Sequence, residues 1–169
     1  MKKSKEIALG GLMAAVSVVI MCFGGMIPIM TYVSPVICIL IGGYILKYLT
    51  KSGFMAWYIA VALLALILCP DKESAFIYGG LGYYPALRKY IEKIPVRWLI
   101  KIVYFNITIL ALYWVLIHFV GLNEILKEFT EMGTIFTLVT LILGNIVFII
   151  VDRLLFKVEY IHKNKRKTR

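Results

Sequence analysis

Acidic residues are scarce in this 169-residue chain: 9 aspartates and glutamates stand against 19 lysines and arginines, for a formal net charge of +10. Histidine occurs only at His118 and His162, and neither lies in an HExxH pattern, so zinc-hydrolase chemistry has no support. Cys22, Cys38 and Cys69 lack any CxxC spacing. That predicts neither a disulfide framework nor a zinc site, and the three read as buried, inert thiols. The chain has no Gly-x-Ser-x-Gly elbow and no phosphate-binding Gly-Lys-Ser/Thr loop, and so no visible means of hydrolysing ATP. With no nucleophile–base set evident, it is expected not to be an enzyme and to carry no metal or cofactor.

What is abundant is apolar surface. Hydrophobic residues make up 62% of the chain and charged ones 17%, with a mean hydropathy of +0.89. Soluble domains hold about 45–50% and about 25% respectively. A small water-soluble core cannot hide this much apolar surface, whereas lipid accepts it as solvent. Strands would need period-2 alternation, and these runs are apolar all round, so helices are the only plausible spanning element. One all-α domain over residues 1–169 is predicted.

Crossing about 30 Å of hydrocarbon takes about 20 apolar residues. Six segments approach this: residues 6–23, 32–49, 54–69, 74–87, 96–120 and 133–156. The fourth is marginal. Gly24, Gly25, Pro28, Gly53, Pro70 and Pro95 punctuate the intervals, as breakers should. Pro35 is expected in the first turn of the second span, where its missing N–H costs little. The basic start before residue 6 suits a signal peptide, but the apolar run is long and no small-x-small cleavage site follows, so a first span is expected.

Charge placement tests the topology. With both termini inside, every lysine and arginine except Lys72 and Lys127 falls on the cytoplasmic side, a strong positive-inside asymmetry. The basic residues sit in clusters between apolar runs rather than on one polar domain, which argues against nucleic-acid binding. The basic tail at 161–169 is expected to be cytoplasmic and attracted to anionic lipid. Residues 122–132 place Leu122, Ile125, Leu126 and Phe129 at helical spacing, with Glu124, Lys127, Glu128 and Glu131 opposite. They read as an amphipathic helix between spans five and six, either lying on the outer interface or simply connecting two spans.

Several constellations stand out. Gly10/Ala14 and Gly11/Ala15 form overlapping small-xxx-small pairs on one face of span one, suited to packing within the bundle or against another protein. Asp71 and Glu73 fit a helix start, where the dipole favours acids, and could equally line an outward-facing pocket. Span four holds Gly79, Gly80, Gly82 and Pro85 among three tyrosines, so it is expected to be short, kinked or shielded by protein. Tyr83 and Tyr84 suit interfacial anchoring, and Tyr78 is the better pocket residue. Asn106 and Asn145 are expected to clip spans five and six together, and Asp152 to pair with Arg88, Arg153 or Lys157. Trp114 and His118, one turn apart, fit an aromatic belt or a ligand contact.

The six short spans, the 169-residue length, the cytoplasmic termini and the small-residue face of helix one resemble the substrate-binding S components of bacterial energy-coupling factor (ECF) transporters. Gly10/Ala14 and Gly11/Ala15 stand where that family carries Ala-x-x-x-Ala, so Gly10, Gly11, Ala14 and Ala15 are expected to dock the family's T subunit. The resemblance implies a plasma-membrane protein that captures a vitamin or similar micronutrient from outside. ATP hydrolysis would come from partner ATPase subunits. The expected ligand-binding residues are Tyr32, Ser34, Asp71, Glu73, Tyr78, Trp114 and His118. A membrane scaffold or regulatory protein is the alternative, which the span-one face would serve equally well.

Overall fold

The computed structural model describes residues 3–27, 29–116, 118 and 123–167, with the side chains of 3, 25, 26, 123–137 and 161–167 outside the description. The described residues are mostly helical, with no strand among them. Helix α1 (Lys3–Cys22) runs into a 3-10 turn at Phe23–Met26, followed by α2 (Met30–Ile45) and α3 (Lys51–Leu68). The remainder is α4 (Lys72–Leu81), α5 (Tyr84–Ile91), α6 (Arg97–Val115) and α7 (Asn123–Lys167). Among the described residues four helices are long and apolar enough to cross a membrane: Ser4–Cys22, Lys51–Leu68, Arg97–Val115 and Leu138–Tyr160. Met30–Ile45 is apolar but shorter.

The core forms where α1, α2, α3 and α4 pack together, around Met21, Cys38, Phe54, Trp57, Val61 and Tyr78. Outside it, Leu12, Val19, Leu63, Ile67, Leu110, Ile142 and Ile146 are exposed. Apolar surface of that extent is unfavourable in water and needs no explanation in hydrocarbon.

One local feature departs from expectation. Helix α2 begins at Met30, so Pro35 falls inside it rather than in its first turn. Its ring removes the N–H that the Thr31 carbonyl would accept. Residues 74–87 are interrupted, as their glycines and proline lead one to expect: they form two short helices, α4 and α5, broken at Gly82–Tyr83. The amphipathic segment 122–132 has its side chains outside the described residues, as does the basic tail 161–169. From Asn123 the backbone runs without interruption through α7.

Candidate functional site

The site is assembled at the start of α4. Pro70 cannot continue α3, and Asp71 takes the N-cap position of α4 in an extended conformation. Its Oδ1 accepts from the backbone N–H of Glu73 (3.0 Å) and of Ser74 (3.3 Å), satisfying two of the orphan donors of a helix start. Lys72 turns the other way and donates to the Leu66 and Cys69 carbonyls at the end of α3, at 2.7 and 2.9 Å. The cap expected from Asp71 is thus present, and the cap directs Glu73 toward its neighbours. The Tyr32 hydroxyl donates to Glu73 Oε1 at 3.2 Å and the Tyr113 hydroxyl to the same atom at 2.7 Å. One carboxylate therefore joins α2, α4 and α6.

Both tyrosines line a cleft of about 470 Å³ between α2, α4, α5, α6 and α7. That volume falls in the range that holds small molecules, about 300–1,000 Å³. Tyr32, Tyr113, Thr140 and Tyr84 line it together with Ile39, Ile77, Ile109, Phe105, Phe148 and Val151. Beside the cleft, α6 and α7 are tied together at one level. Asn106 and Asn145 exchange amide hydrogen bonds of 3.1 Å in each direction, and the Phe105 and Phe148 rings stack with centroids 4.9 Å apart.

The remaining expected ligand residues are placed differently. Ser34 is fully buried and faces Gly24 rather than the cleft. Tyr78 is fully buried with its hydroxyl unpartnered, its ring 5.9 Å from that of Tyr58. Trp114 and His118 stack on one another, centroids 4.9 Å apart, and His118 Nδ1 lies 3.0 Å from the Trp114 carbonyl. Trp114 is 55% exposed, so α6 turns it away from Glu73 while turning Tyr113 inward. Tyr113 was not expected. Its signal is spacing: it continues the inward stripe of Phe105 and Ile109, one turn on.

The small residues of α1 divide into two faces. A Cβ on Gly10 would lie 3.8 Å from Leu49, and Ala14 packs against the core, whereas Gly11 has open space and Ala15 is exposed. Among the described residues no group of three His, Cys, Asp or Glu side chains could hold a metal.

Below the cleft, charges close the other end of the bundle. Arg88 Nε meets Asp152 Oδ1 at 2.8 Å and its Nη1 meets Glu159 at 2.8 Å. Lys101 Nζ bridges Asp152 Oδ2 and Glu92 Oε1, both at 2.6 Å, and Arg97 reaches Glu92 at 3.0 Å. The Tyr84 hydroxyl donates to Asp152 Oδ1 at 2.7 Å, so a residue lining the cleft is anchored in this network. The Lys101 hydrogen bond holds the Glu92 carboxyl below its ordinary range. A carboxyl depressed on folding contributes stability above its unfolded pKa, and that contribution is lost as pH falls through the folded value. Thermal stability should therefore decline below about pH 4 in part through Glu92, and Glu92→Gln should flatten that acid limb. An unchanged limb would show that Glu92 does not contribute to it.

Comparison with protein-family models, with curated proteins and with solved structures found no match.

Proposed function

We propose that this chain is a substrate-binding membrane subunit similar to an ECF-transporter S component, taking up a vitamin-like small molecule with an apolar body and a hydrogen-bonding head. The observation that carries this reading is the cleft itself: an apolar space lined by two tyrosines, Tyr32 and Tyr113, whose hydroxyls share the Glu73 carboxylate. The body lies between α6 and α7, and the head exchanges hydrogen bonds with Tyr32, Glu73 and Tyr113. Tyr78 acts from within α4 as a buried support. In this reading α1, α2, α3, the α4–α5 pair, α6 and α7 make six crossings with both termini in the cytoplasm. The segment 122–132 then lies outside as an amphipathic helix. The Gly11/Ala15 face of α1 is the open surface on which a T subunit would dock, carrying the ATPase subunits.

The test is to purify the protein, denature it and identify any released small molecule by mass spectrometry. Tyr113→Phe removes a hydrogen bond to a charged group, worth about 1.5–3 kcal/mol, so retention of that molecule should weaken about 10- to 100-fold. Glu73→Gln should do at least as much. Retention unchanged in both variants would remove the site. A protein that repeatedly releases no ligand and co-purifies with no ATPase subunit would favour the scaffold reading, which the same Gly11/Ala15 face supports.

A further inference from the structure

Three oxygens from distant parts of the chain converge on Gly24. A Cβ built there would lie 3.1 Å from Ser34 Oγ, 3.2 Å from Ser74 Oγ and 3.3 Å from Asp71 Oδ2. Ser34 and Ser74 are fully buried, and Ser34 Oγ and Asp71 Oδ2 are buried atoms with no hydrogen-bond partner. The proton inventory is short. Asp71 Oδ1 is occupied by two backbone N–H groups, while Oδ2 receives nothing. Ser74 spends its hydroxyl proton on the Asp71 carbonyl at 3.2 Å, which leaves its lone pairs toward the cradle. Only Ser34 has a hydroxyl proton to offer.

Charge is short as well. Among the described residues no ion pair includes Asp71, and its neighbour Lys72 is committed to the end of α3. A carboxylate oxygen buried without a donor or a cation is strongly unfavourable. A single water brings two protons and no charge. Divalent ions gather several carboxylates, and here there is one.

We infer that the Gly24–Ser34–Asp71–Ser74 cradle binds a small monovalent cation, either a free alkali ion or the ammonium group of an amine. Bound there, the cation ties the turn after α1 to α2 and to the start of α4. Glycine at position 24 keeps the space open. The site lies beside the cleft and needs no ligand in it, so it stands apart from the uptake reading.

The full chain, purified in detergent and freed of any small molecule, is to be unfolded thermally in choline chloride. Sodium, potassium or methylammonium chloride is then exchanged in at constant ionic strength. At least one of these should raise the midpoint saturably by about 3 °C or more, because a ligand that binds only the folded state stabilises it. A response to sodium or potassium identifies a free ion, and a response to methylammonium alone identifies an amine head. Asp71→Asn preserves the cap, since asparagine caps as well as aspartate, and should abolish the response by removing the charge. Gly24→Ala keeps the charge, fills the space and should abolish it too. If Gly24→Ala does not fold, Asp71→Asn alone decides. Equal midpoints in all four salts, or a full response in Asp71→Asn, would overturn the inference, whether or not the protein retains a substrate.

Discussion

Replacing Asp152 with alanine is expected to destabilise the folded protein by about 3–5 kcal/mol, the cost of stripping the partner from a buried ion pair. Asp152 takes hydrogen bonds from three side chains, Tyr84, Arg88 and Lys101. Its loss strands Arg88, 3% exposed, and Lys101, 8% exposed. Glu92 and Glu159 remain as counter-charges but stand nearer the surface, where solvent screens them. Asp152→Asn keeps an acceptor without the charge and should fall between the unaltered protein and Asp152→Ala. Arg97→Ala is the control. Arg97 also pairs with Glu92, but its side chain is 51% exposed, and an exposed pair contributes at most about 1 kcal/mol. The double variant Asp152→Leu with Lys101→Met should recover much of the loss, because apolar groups of similar size often replace a buried pair without penalty. Urea unfolding in detergent orders the four variants, and an Asp152→Ala loss no larger than that of Arg97→Ala would mean that the network does not hold the helices together.

This network also marks the boundary of what the chain reveals before it is folded. Asp152 stands out as an acid inside an apolar run, and Arg88 is foreseeable as its partner. Lys101 is not, because a charge count files it with the loop that precedes α6, while the fold turns its side chain inward to Asp152. Hydropathy locates α1, α3, α6 and α7, whose length and apolarity are properties of contiguous sequence. It misplaces the start of α2, since the residues before Tyr32 are as apolar as those after it. The site divides in the same way. Asp71 as a cap follows from local chemistry, a proline and then an acid before a helix. The convergence of Ser34, Asp71 and Ser74 on Gly24 joins segments about 10 and 50 residues apart, and no local pattern encodes it. Trp114 and Tyr113 show the finest case. Adjacent aromatics are equally plausible in sequence, and only helix rotation decides which of them faces Glu73.

The glycines of the fourth segment make the same point with a measurable consequence: Gly82→Ala should destabilise by about 1–3 kcal/mol, the cost of overpacking a filled site. A Cβ at position 82 would lie 2.6 Å from the Tyr78 carbonyl oxygen and 2.9 Å from the Tyr78 ring, with the Tyr58 ring at 3.0 Å. The carbonyl is backbone, so it cannot swing aside, and it already accepts the Gly82 N–H at 2.7 Å. Both rings are held as well: Tyr58 donates to the Gly79 carbonyl, and Tyr78 is fully buried. Relief therefore requires the turn between α4 and α5 to move, and with it Tyr84, whose ring lines the cleft and whose hydroxyl anchors Asp152. Gly79→Ala is the matched comparison. It lies inside α4, three residues earlier, with nothing within 4 Å of its added carbon, so the better helix propensity of alanine should leave stability unchanged or raise it by up to about 1 kcal/mol. Unfolding midpoints that coincide for the two variants would show that close approach of the two tyrosines does not fix the break at Gly82, and the path from the cleft to the Asp152 network would then need another hinge.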